Sequence, residues 1–200
     1  MARRPPPPKT GLEVKIFGNS VLRRVAAPVA EINQSIRDLA TQMVKCMYDE
    51  EGIGLAAPQI GVSLRMFVID TRRDREEGDP LPTPGELALE AQMPVAVINP
   101  EITWKSPESC DFSEGCLSIP GVNGNVVRPT LIRLKGKTLA GEEFEWECGG
   151  LLARCAQHEI DHLDGILFTD RAEEADMKKA AARLAKLKSE SELLEKARGS

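Results

Sequence analysis

Apolar residues along the chain follow helical spacing in some segments and strand-like spacing in others. Between residues 35 and 48 they recur at every third or fourth position, which predicts an amphipathic helix. The apolar run at residues 64–69 predicts a buried strand, and residues 12–17 are predicted to form a short strand. The glycine-rich residues 52–61 predict a turn that leads into the buried strand.

The second half of the chain contains several short segments with the composition of strands. These segments are residues 95–98, 101–104, 131–135 and 142–148. Their close succession predicts antiparallel sheets, whereas residues 71–92, with three prolines and two glycines, predict a long exposed loop that ends in one helical turn. Residues 151–163 predict a buried central helix, and the sequence beyond residue 171 predicts a C-terminal helix. The predicted fold is α+β, with antiparallel sheets packed around the central helix.

The composition narrows the class of protein without choosing a function. A chain of 200 residues that is 42% hydrophobic and 28% charged fits one compact domain, which we place at residues 11–171. Residues 1–10 predict a disordered, proline-rich leader, and residues 172–200 predict a helical extension. The formal net charge of -5 offers no basic footprint for DNA, and no apolar run approaches the roughly twenty residues of a membrane span. Five cysteines without a compact spacing or an export signal predict reduced thiols in a cytoplasmic protein.

Histidine carries the strongest chemical signal, because both histidines of the chain lie in the segment HEIDH. His158 and His162 are four residues apart, so on a helix both imidazoles project from one face and are able to bind one metal ion, with Glu159 beside it. Two helix histidines with satisfied hydrogen bonds are the alternative. A catalytic metal commonly has three protein ligands, so the third would be a carboxylate or a thiolate. The best candidate is Cys116 in EGCLS, although a lone cysteine is more often a small buried apolar residue.

Three segments of the chain together resemble the signature motifs of one enzyme family. They are GIGLAAPQ at residues 52–59, EGCLS at residues 114–118 and QHEIDH at residues 157–162. In this order they resemble the motifs of peptide deformylases, and the similarity extends from about residue 12 to residue 171. The resemblance implies a metallohydrolase that removes the formyl group from the N-terminal methionine of newly made proteins and releases formate. Its partners would be N-formylmethionyl nascent peptides.

The family's pattern implies a role for each functional residue of the site. The metal ligands that it implies are Cys116, His158 and His162. A bound divalent ion makes hydroxide available at neutral pH to attack the formyl carbon. Glu159 would take up a proton and deliver it to the leaving amine, while the side-chain amide of Gln59 and the backbone N–H of Leu117 would stabilise the oxyanion. Coordination chemistry suits zinc, whereas the resemblance implies Fe²⁺, which Zn²⁺ or another divalent ion is able to replace.

A second group of residues is predicted to bind the substrate. Its members are Ile53, Gly54, Glu114, Leu151 and Cys155. An extended formylmethionyl peptide would pair with Ile53 and Gly54 as an added strand, because a glycine lets another backbone approach closely. Leu151 and Cys155 lie one and two helical turns before the histidines, so they are predicted to line an apolar pocket for the methionine side chain.

The surroundings of the site carry three further hypotheses. Glu114 and Arg128 are predicted to form an ion pair that braces the loop carrying Cys116, with an exposed pair of little energetic weight as the alternative. Asn123 occupies a position near the substrate entrance where family members vary, so the peptide preference beyond methionine stays open. Residues 178–188 contain five basic residues and no acidic one, which suits contact with ribosomal RNA near the exit of nascent chains, or simply a solvated helix face.

Two other functions compete with deformylation. The segment HEIDH equally suits a zinc metalloprotease with Glu159 as base, although an upstream cysteine ligand departs from the ligands that those enzymes usually use. The chain could also be a catalytically idle homologue that binds a partner and uses its metal structurally. The presence of Gln59 and Glu159 disfavours the idle homologue, whereas a closed four-ligand site completed by Cys110 would favour it.

Overall fold

A computed structural model describes residues 11–73, 78 and 80–198 of the chain. The helices are α1 (Gln34–Asp49), α2 (Pro84–Glu90), α3 (Gly150–Leu163) and α4 (Glu174–Arg198). The strands are β1 (Gly54–Ala56), β2 (Met66–Ile69), β3 (Val95–Lys105), β4 (Ser109–Gly115), β5 (Asn123–Pro129), β6 (Ile132–Lys137) and β7 (Glu143–Cys148). Short 3₁₀ helices occur at Ser20–Arg23, Ala57–Ile60 and Phe168–Asp170.

The strands form two separate antiparallel sheets. Five of them pair in the order β1-β2-β3-β6-β7, and β4 pairs with β5 as a hairpin. β1 stands at one end of the larger sheet, so only one of its edges is hydrogen-bonded to a neighbouring strand. Antiparallel sheets combined with helices confirm the predicted α+β fold, and the helices predicted at residues 35–48 and 151–163 are confirmed as α1 and α3.

The larger sheet lies between α1 and α3, and β2 shows why. Met66 and Val68 belong to the apolar cluster that contains the buried residues of α1, whereas Phe67 and Ile69 belong to the cluster that contains α3. Since successive side chains of a strand point to opposite faces, a strand covered on both faces is a continuous apolar run rather than an alternating one. All four β2 side chains are fully buried, and α3, which is buried from Leu152 to Leu163, is the buried helix that the sequence predicted.

The C-terminal helix packs against the β4–β5 hairpin. Leu187 of α4 is 1% exposed and shares an apolar cluster with Val126 of β5 and with Phe168, and the Asn125 N–H donates to the Asp176 carboxylate at 3.0 Å. These contacts confirm the predicted C-terminal helix. The division of the chain at residues 171 and 172 stays a prediction, and the predicted leader, residues 1–10, lies outside the described residues. No helix in the described ranges combines the length and apolar character that crossing a membrane requires.

Two predictions for the first third of the chain are wrong. Residues 12–17 form no strand, because the N–H groups of Lys15 and Phe17 donate to the isolated carbonyls of Gln59 and Ser118 rather than to a strand partner. The segment at residues 52–61 is more than a turn, since it contains β1 and the 3₁₀ helix Ala57–Ile60. The strand predicted at residues 64–69 is present but begins at Met66.

The predicted exposed loop at residues 71–92 contains a helix that is longer than one turn and partly buried. α2 begins with a capping box, in which the Thr83 hydroxyl accepts from the Glu86 N–H at 3.3 Å and the Glu86 carboxylate accepts from the Thr83 N–H at 2.8 Å. Pro84 occupies the first turn, where its missing N–H costs no hydrogen bond. Leu89 is 5% exposed and anchors α2 to the central cluster, so the loop prediction is wrong for residues 84–90.

The second half of the chain has longer strands than predicted and one missed hairpin. The strands predicted at residues 95–98 and 101–104 are one strand, β3, with an irregular register between Ile98 and Glu101. Asn99 has a φ of +50° there, and its side chain bonds both backbone groups of Val29, which holds the irregularity in place. The strands predicted at residues 131–135 and 142–148 are confirmed as β6 and β7. β4 and β5 were not predicted.

Candidate metal centre and active site

α3 carries both histidines on one face. His158 and His162 are 9% and 1% exposed, and their rings lie 5.0 Å apart at an interplanar angle of 70°. The Phe168 ring stacks against the His158 ring, with centroids 6.3 Å apart. Because side chains four residues apart on a helix are neighbours, one helix supplies both imidazoles without any loop to order.

Cys116 joins the two histidines from another element. It follows directly on β4, in a turn closed by the Ile119 N–H donating to the Cys116 carbonyl at 2.9 Å. Its Sγ lies 3.2 Å from His162 Nε2, and one ligand atom each from Cys116, His158 and His162 lie within 4.8 Å of one another. Among the described residues, this is the group of metal-ligand side chains that the fold brings together.

Glu114 fixes the orientation of His158 through a buried ion network. Arg128 donates to both Glu114 oxygens, at 2.6 and 2.9 Å, and His158 Nδ1 lies 3.0 Å from Glu114 Oε2. Burial alone would raise the pKa of Glu114, but the hydrogen bonds from His158 and Arg128 outweigh burial and hold this pKa well below its usual range. An ionised Glu114 only accepts hydrogen bonds, so the proton of a neutral His158 lies on Nδ1, which leaves Nε2 to bind a metal. The predicted Glu114–Arg128 pair is confirmed, and it is buried rather than exposed.

The network continues beyond Glu114 in two directions. Arg154 donates to Glu114 Oε1 at 2.8 Å, and Arg128 also donates to Asp161 at 2.8 Å. Asp161 in turn accepts two hydrogen bonds from Arg171, at 2.6 and 2.7 Å. The carboxylates and guanidinium groups therefore alternate from the partly exposed Arg171 inward to His158.

The three clustered side chains suit a divalent transition-metal ion. A thiolate and two neutral imidazoles are ligands that both zinc and iron accept, and bonds of about 2.0–2.3 Å to sulfur and nitrogen match a cluster of this span. Burial lowers the pKa of His162 well below its usual range, which keeps this imidazole neutral as a ligand must be. Cys110 is exposed and lies outside the cluster, where its Sγ accepts from Arg154 at 3.2 Å, so it does not complete a closed four-ligand site.

Glu159 is a buried carboxylate beside this cluster. It is 3% exposed, and burial raises its pKa to about 7. Its Oε2 atom is buried and has no hydrogen-bond partner among the described residues, although it borders the cleft that contains the three candidate ligands. A buried polar atom without a protein partner is usually reserved for a ligand or water. Glu159 is thus placed and tuned to exchange a proton near neutral pH.

Gln59 and Leu117 both line the cleft that contains the candidate ligands. The Gln59 side chain is 1% exposed, and its Oε1 accepts from the Ala56 N–H at 2.8 Å. That bond orients the amide so that Nε2 points to Ser118 Oγ at 3.2 Å and to Cys116 Sγ at 3.5 Å. The backbone N–H of Leu117, the next residue after Cys116, donates to no described group.

A cleft of about 360 Å³ opens beside the cluster. All the residues predicted to bind the substrate line it: Ile53, Gly54, Glu114, Leu151 and Cys155. Burial raises the pKa of the Cys155 thiol well above its usual range, so Cys155 is a neutral group that suits an apolar pocket. Ile53, which is 44% exposed, directly precedes β1 in the sequence and also lines the cleft.

Packing inside the protein gives a reason for the glycines of the first motif, Gly52 and Gly54, that differs from the predicted approach of a peptide backbone. A Cβ on Gly54 would lie 2.4 Å from Glu159 Oε1 and 2.7 Å from Cys155 Sγ. A Cβ on Gly52 would lie 2.7 Å from the Leu117 side chain. A side chain at position 54 would therefore displace the buried Glu159 and Cys155, whereas one at position 52 would displace only the end of the Leu117 side chain.

Sequence analysis missed four residues that line the cleft: Glu51, Phe112, Ser113 and Arg154. Arg154 had a signal, because it precedes His158 by four residues and must share its helix face. Phe112 had none, since it lies on β4, whose sequence lacks strand-like alternation. Glu51 has a φ of +56°, a backbone feature that the sequence does not reveal.

Comparison with known proteins identifies the family to which this site belongs. A family model described as polypeptide deformylase matches residues 12–178. The chain belongs to the peptide deformylase family. A peptide deformylase from Picosynechococcus sp. is 44% identical over 162 residues, covering 81% of this chain and 79% of that relative. One from Salinibacter ruber is 42% identical over 163 residues, covering 80% and 79%.

Solved structures of peptide deformylases share the fold. A structure from Synechococcus elongatus in complex with actinonin has a TM-score of 0.77 and 35% identity, covering 92% of this chain and 91% of that one. A structure from Legionella pneumophila has a TM-score of 0.74 and 38% identity, covering 89% and 95%. The predicted family, and with it a metal-dependent hydrolase that removes the formyl group from nascent peptides, is confirmed. Membership in the family contradicts the metalloprotease alternative.

Proposed function

We propose that deformylation of N-formylmethionyl peptides takes place in the cleft beside Cys116, His158 and His162, and that these three side chains hold the catalytic metal. One observation carries the proposal. Three candidate ligand atoms lie within 4.8 Å of one another at a cleft that also contains the buried carboxylate of Glu159, whose Oε2 lacks a partner among the described residues.

Ferrous iron is the metal that we propose for this site, with Zn²⁺ or another divalent ion as a substitute. The bound ion would polarise the formyl oxygen as a Lewis acid and provide a nucleophile at neutral pH. Both imidazoles and the thiolate accept either metal, so the ligand set agrees with the proposal without choosing between iron and zinc. Iron with a thiolate ligand is sensitive to oxygen. We expect iron-loaded protein to lose activity in air within hours, and stable activity would contradict iron.

Glu159 carries the proton in the proposed reaction. The oxygen of the attacking water forms a bond to the formyl carbon, and Glu159 takes up the proton that the water loses. The C–N bond then breaks as Glu159 gives this proton to the leaving amine nitrogen, and the formic acid product loses its own proton to leave as formate. A carboxylate with a pKa of about 7 serves both steps at neutral pH, because it accepts and donates a proton with similar ease.

Gln59 and Leu117 are the proposed donors to the developing oxyanion. The Gln59 amide nitrogen already points toward Cys116, since the Ala56 N–H holds the opposite end of the amide. The Leu117 N–H follows directly in sequence and has no partner among the described groups. Donors that are fixed before the reaction stabilise the transition state without reorganisation, and a single donor of this kind is worth about 3–4 kcal/mol.

The substrate is proposed to enter as an extended strand along β1. The free edge of β1 supports this, because an unpaired strand edge offers backbone groups that a peptide is able to join. Ile53 and Gly54 would pair with the peptide backbone, and Leu151 and Cys155 would contact the methionine side chain. Both pairs of residues line the same cleft, so one extended peptide is able to reach them together.

Formate release from a short N-formylmethionyl peptide tests the proposal. The protein is loaded with iron under anaerobic conditions and compared with Glu159→Gln. The glutamine side chain has nearly the same size but neither takes up nor releases a proton near neutral pH. We expect Glu159→Gln to retain its metal and lose activity by about 10²–10⁴-fold. The exposed Glu142→Gln serves as the matched control. Equal activity in Glu159→Gln would contradict the role of Glu159, and folded, metal-loaded wild type that releases no formate would favour the idle homologue.

We also propose that residues 172–200 are a helical extension of a catalytic domain at residues 11–171. We propose further that α4 contacts the ribosome. The proposed location of the protein is the cytoplasm. The family match ends at residue 178, early in α4, so most of α4 lies outside the matched residues. Lys178, Lys179 and Lys186 have side chains 74%, 78% and 67% exposed, so they are available to RNA despite ion pairs with neighbouring acidic residues. Cosedimentation with ribosomes should weaken when all three become glutamate. Unchanged cosedimentation, with Lys105→Glu as control, would contradict the contact.

A further inference from the structure

A second cavity adjoins the cleft and is larger than it. The cleft has a volume of about 360 Å³ and the second cavity about 700 Å³. The two share three lining residues: Phe112, Leu151 and Arg154. Leu151 is one of the residues proposed to contact the methionine side chain, so the methionine pocket borders the second cavity directly. The residues that form this boundary therefore set how far a side chain extends.

Arg154 spans this boundary from one side to the other. Its Nη1 donates to Glu114 Oε1 at 2.8 Å, and Glu114 lines only the cleft. Its Nη2 donates to the Cys110 carbonyl at 2.8 Å, and Cys110 lines only the second cavity. The guanidinium group thus bridges a residue of each cavity and lies between them.

The Arg154 side chain is held firmly in that position. Nη1 also donates to the Val126 carbonyl at 3.0 Å, and the guanidinium carbon lies 5.5 Å from the centre of the Phe112 ring. The side chain is only 10% exposed. A planar guanidinium with several simultaneous hydrogen bonds has little freedom to swing away, because any rotation breaks more than one of them.

We propose that Arg154 is a specificity-determining residue that closes the methionine pocket against the second cavity. This inference rests on the proposed function and deepens it by naming what limits the first side chain of the substrate. With Arg154 in place, the pocket ends within the cleft and suits methionine. Without it, the two cavities join, and a bulkier first side chain such as tryptophan gains room.

Two substitutions separate the volume of Arg154 from its charge. Arg154→Ala removes both, whereas Arg154→Met removes the charge but keeps a long unbranched side chain in the boundary. The measured quantity is the ratio of kcat/KM for an N-formyltryptophanyl peptide to that for the matching N-formylmethionyl peptide. A ratio cancels any loss of metal that follows from weaker bonding to Glu114, because both peptides meet the same fraction of active enzyme.

We expect Arg154→Ala to raise this ratio at least about tenfold over wild type, and Arg154→Met to leave it within about threefold. Phe112→Ala, which removes the other side chain beside the boundary without breaking a buried ion pair, should raise the ratio by a smaller amount. It decides the inference should Arg154→Ala fail to fold. An unchanged ratio in the folded variants, or an equal rise in Arg154→Met and Arg154→Ala, would overturn the proposal.

Binding of the deformylated tryptophanyl and methionyl peptides, measured by calorimetry, gives the same ratio without turnover. A wild type that releases no formate contradicts the proposed function, while the ratio of dissociation constants still decides the role of Arg154. In Arg154→Ala, we expect the tryptophanyl peptide to gain affinity relative to the methionyl peptide. In Arg154→Met, we expect the ratio of the two affinities to stay as in wild type. An equal ratio in wild type and Arg154→Ala would reject the boundary.

Discussion

The two faces of α3 are built on opposite principles. One face, with Arg154, His158, Asp161 and His162, meets carboxylates, guanidinium groups and a thiol. The other face, which consists of Leu152, Ala153, Ala156, Ile160 and Leu163, packs into the apolar cluster beneath the five-stranded sheet. Both faces are buried, but only one of them contains groups that hydrogen bonds must orient.

This difference separates the position of the helix from the chemistry that it carries. Apolar contacts are non-directional, so the sheet side fixes where α3 lies without fixing any ligand atom. Hydrogen bonds to charged groups are directional, so the network side fixes how His158 is oriented. Substitutions on the sheet side should therefore change stability alone, whereas substitutions in the network should change stability and metal binding together.

Arg128→Ala should have the largest effect on stability. It leaves the buried carboxylates of Glu114 and Asp161 short of a partner, and breaking a buried pair in this way costs about 3–5 kcal/mol of the unfolding free energy. Urea denaturation of metal-free protein measures this loss, and metal content after gel filtration measures binding. Retention of a full metal complement would show that the network does not brace the site.

Leu152→Ala should destabilise the protein by about 3 kcal/mol without touching the chemistry. Leu152 is 1% exposed on the sheet side, and a buried leucine-to-alanine change leaves a cavity that costs about 2–5 kcal/mol. Activity per folded molecule should stay at the wild-type level, as should metal content. A loss of metal similar to that of Arg128→Ala would mean that the two faces are not separable.

Glu114→Gln should lower metal affinity by about 10–100-fold, the usual effect of removing a carboxylate behind a histidine ligand. The amide keeps the shape of the side chain but no longer accepts a hydrogen bond as a charged group. Competition with a chromophoric chelator measures the affinity. Asp111→Asn, an exposed change on the same strand, is the matched control, and equal affinities in the two variants would remove Glu114 from the network's function.

Arg171→Ala should have the smallest effect, at most about 1 kcal/mol in unfolding free energy. Its side chain is 41% exposed, so water replaces it at Asp161, and Asp161 still accepts from Arg128. Metal affinity should fall by less than in Glu114→Gln. An effect as large as that of Arg128→Ala would show that the network depends on its outer end as much as on its centre.

The sequence predicts the parts of the molecule whose signal is local. α1 and α3 have regular apolar spacing, and the three motifs contain all three clustered ligand residues, including the distant Cys116. The β4–β5 hairpin escaped prediction because most of β4 is exposed, so no alternation of apolar side chains marks it. α2 escaped for another reason, since its capping box and initial proline resemble loop residues unless they are interpreted together.

The remaining features depend on contacts between distant segments. Gly54 is glycine because β1 lies against Glu159 and Cys155, about a hundred residues later in the sequence. Arg154 has an obvious helix face but no obvious purpose until β4 and β5 supply Glu114, Cys110 and Val126 as acceptors. The spacing of residues within one segment predicts neither the contacts of Gly54 nor those of Arg154.

The open edge of β1 also bears on aggregation. An exposed strand edge invites pairing with another chain, yet the proposed substrate binding requires this edge to stay open. β1 limits the hazard by being only three residues long and by lying within a cleft, where a flat sheet from another molecule has poor access. The opposite edge, β7, needs no opening and is protected by the charged side chains of Glu143, Glu145 and Glu147. The edge proposed to accept the substrate is thus too short to serve as a template for fibres.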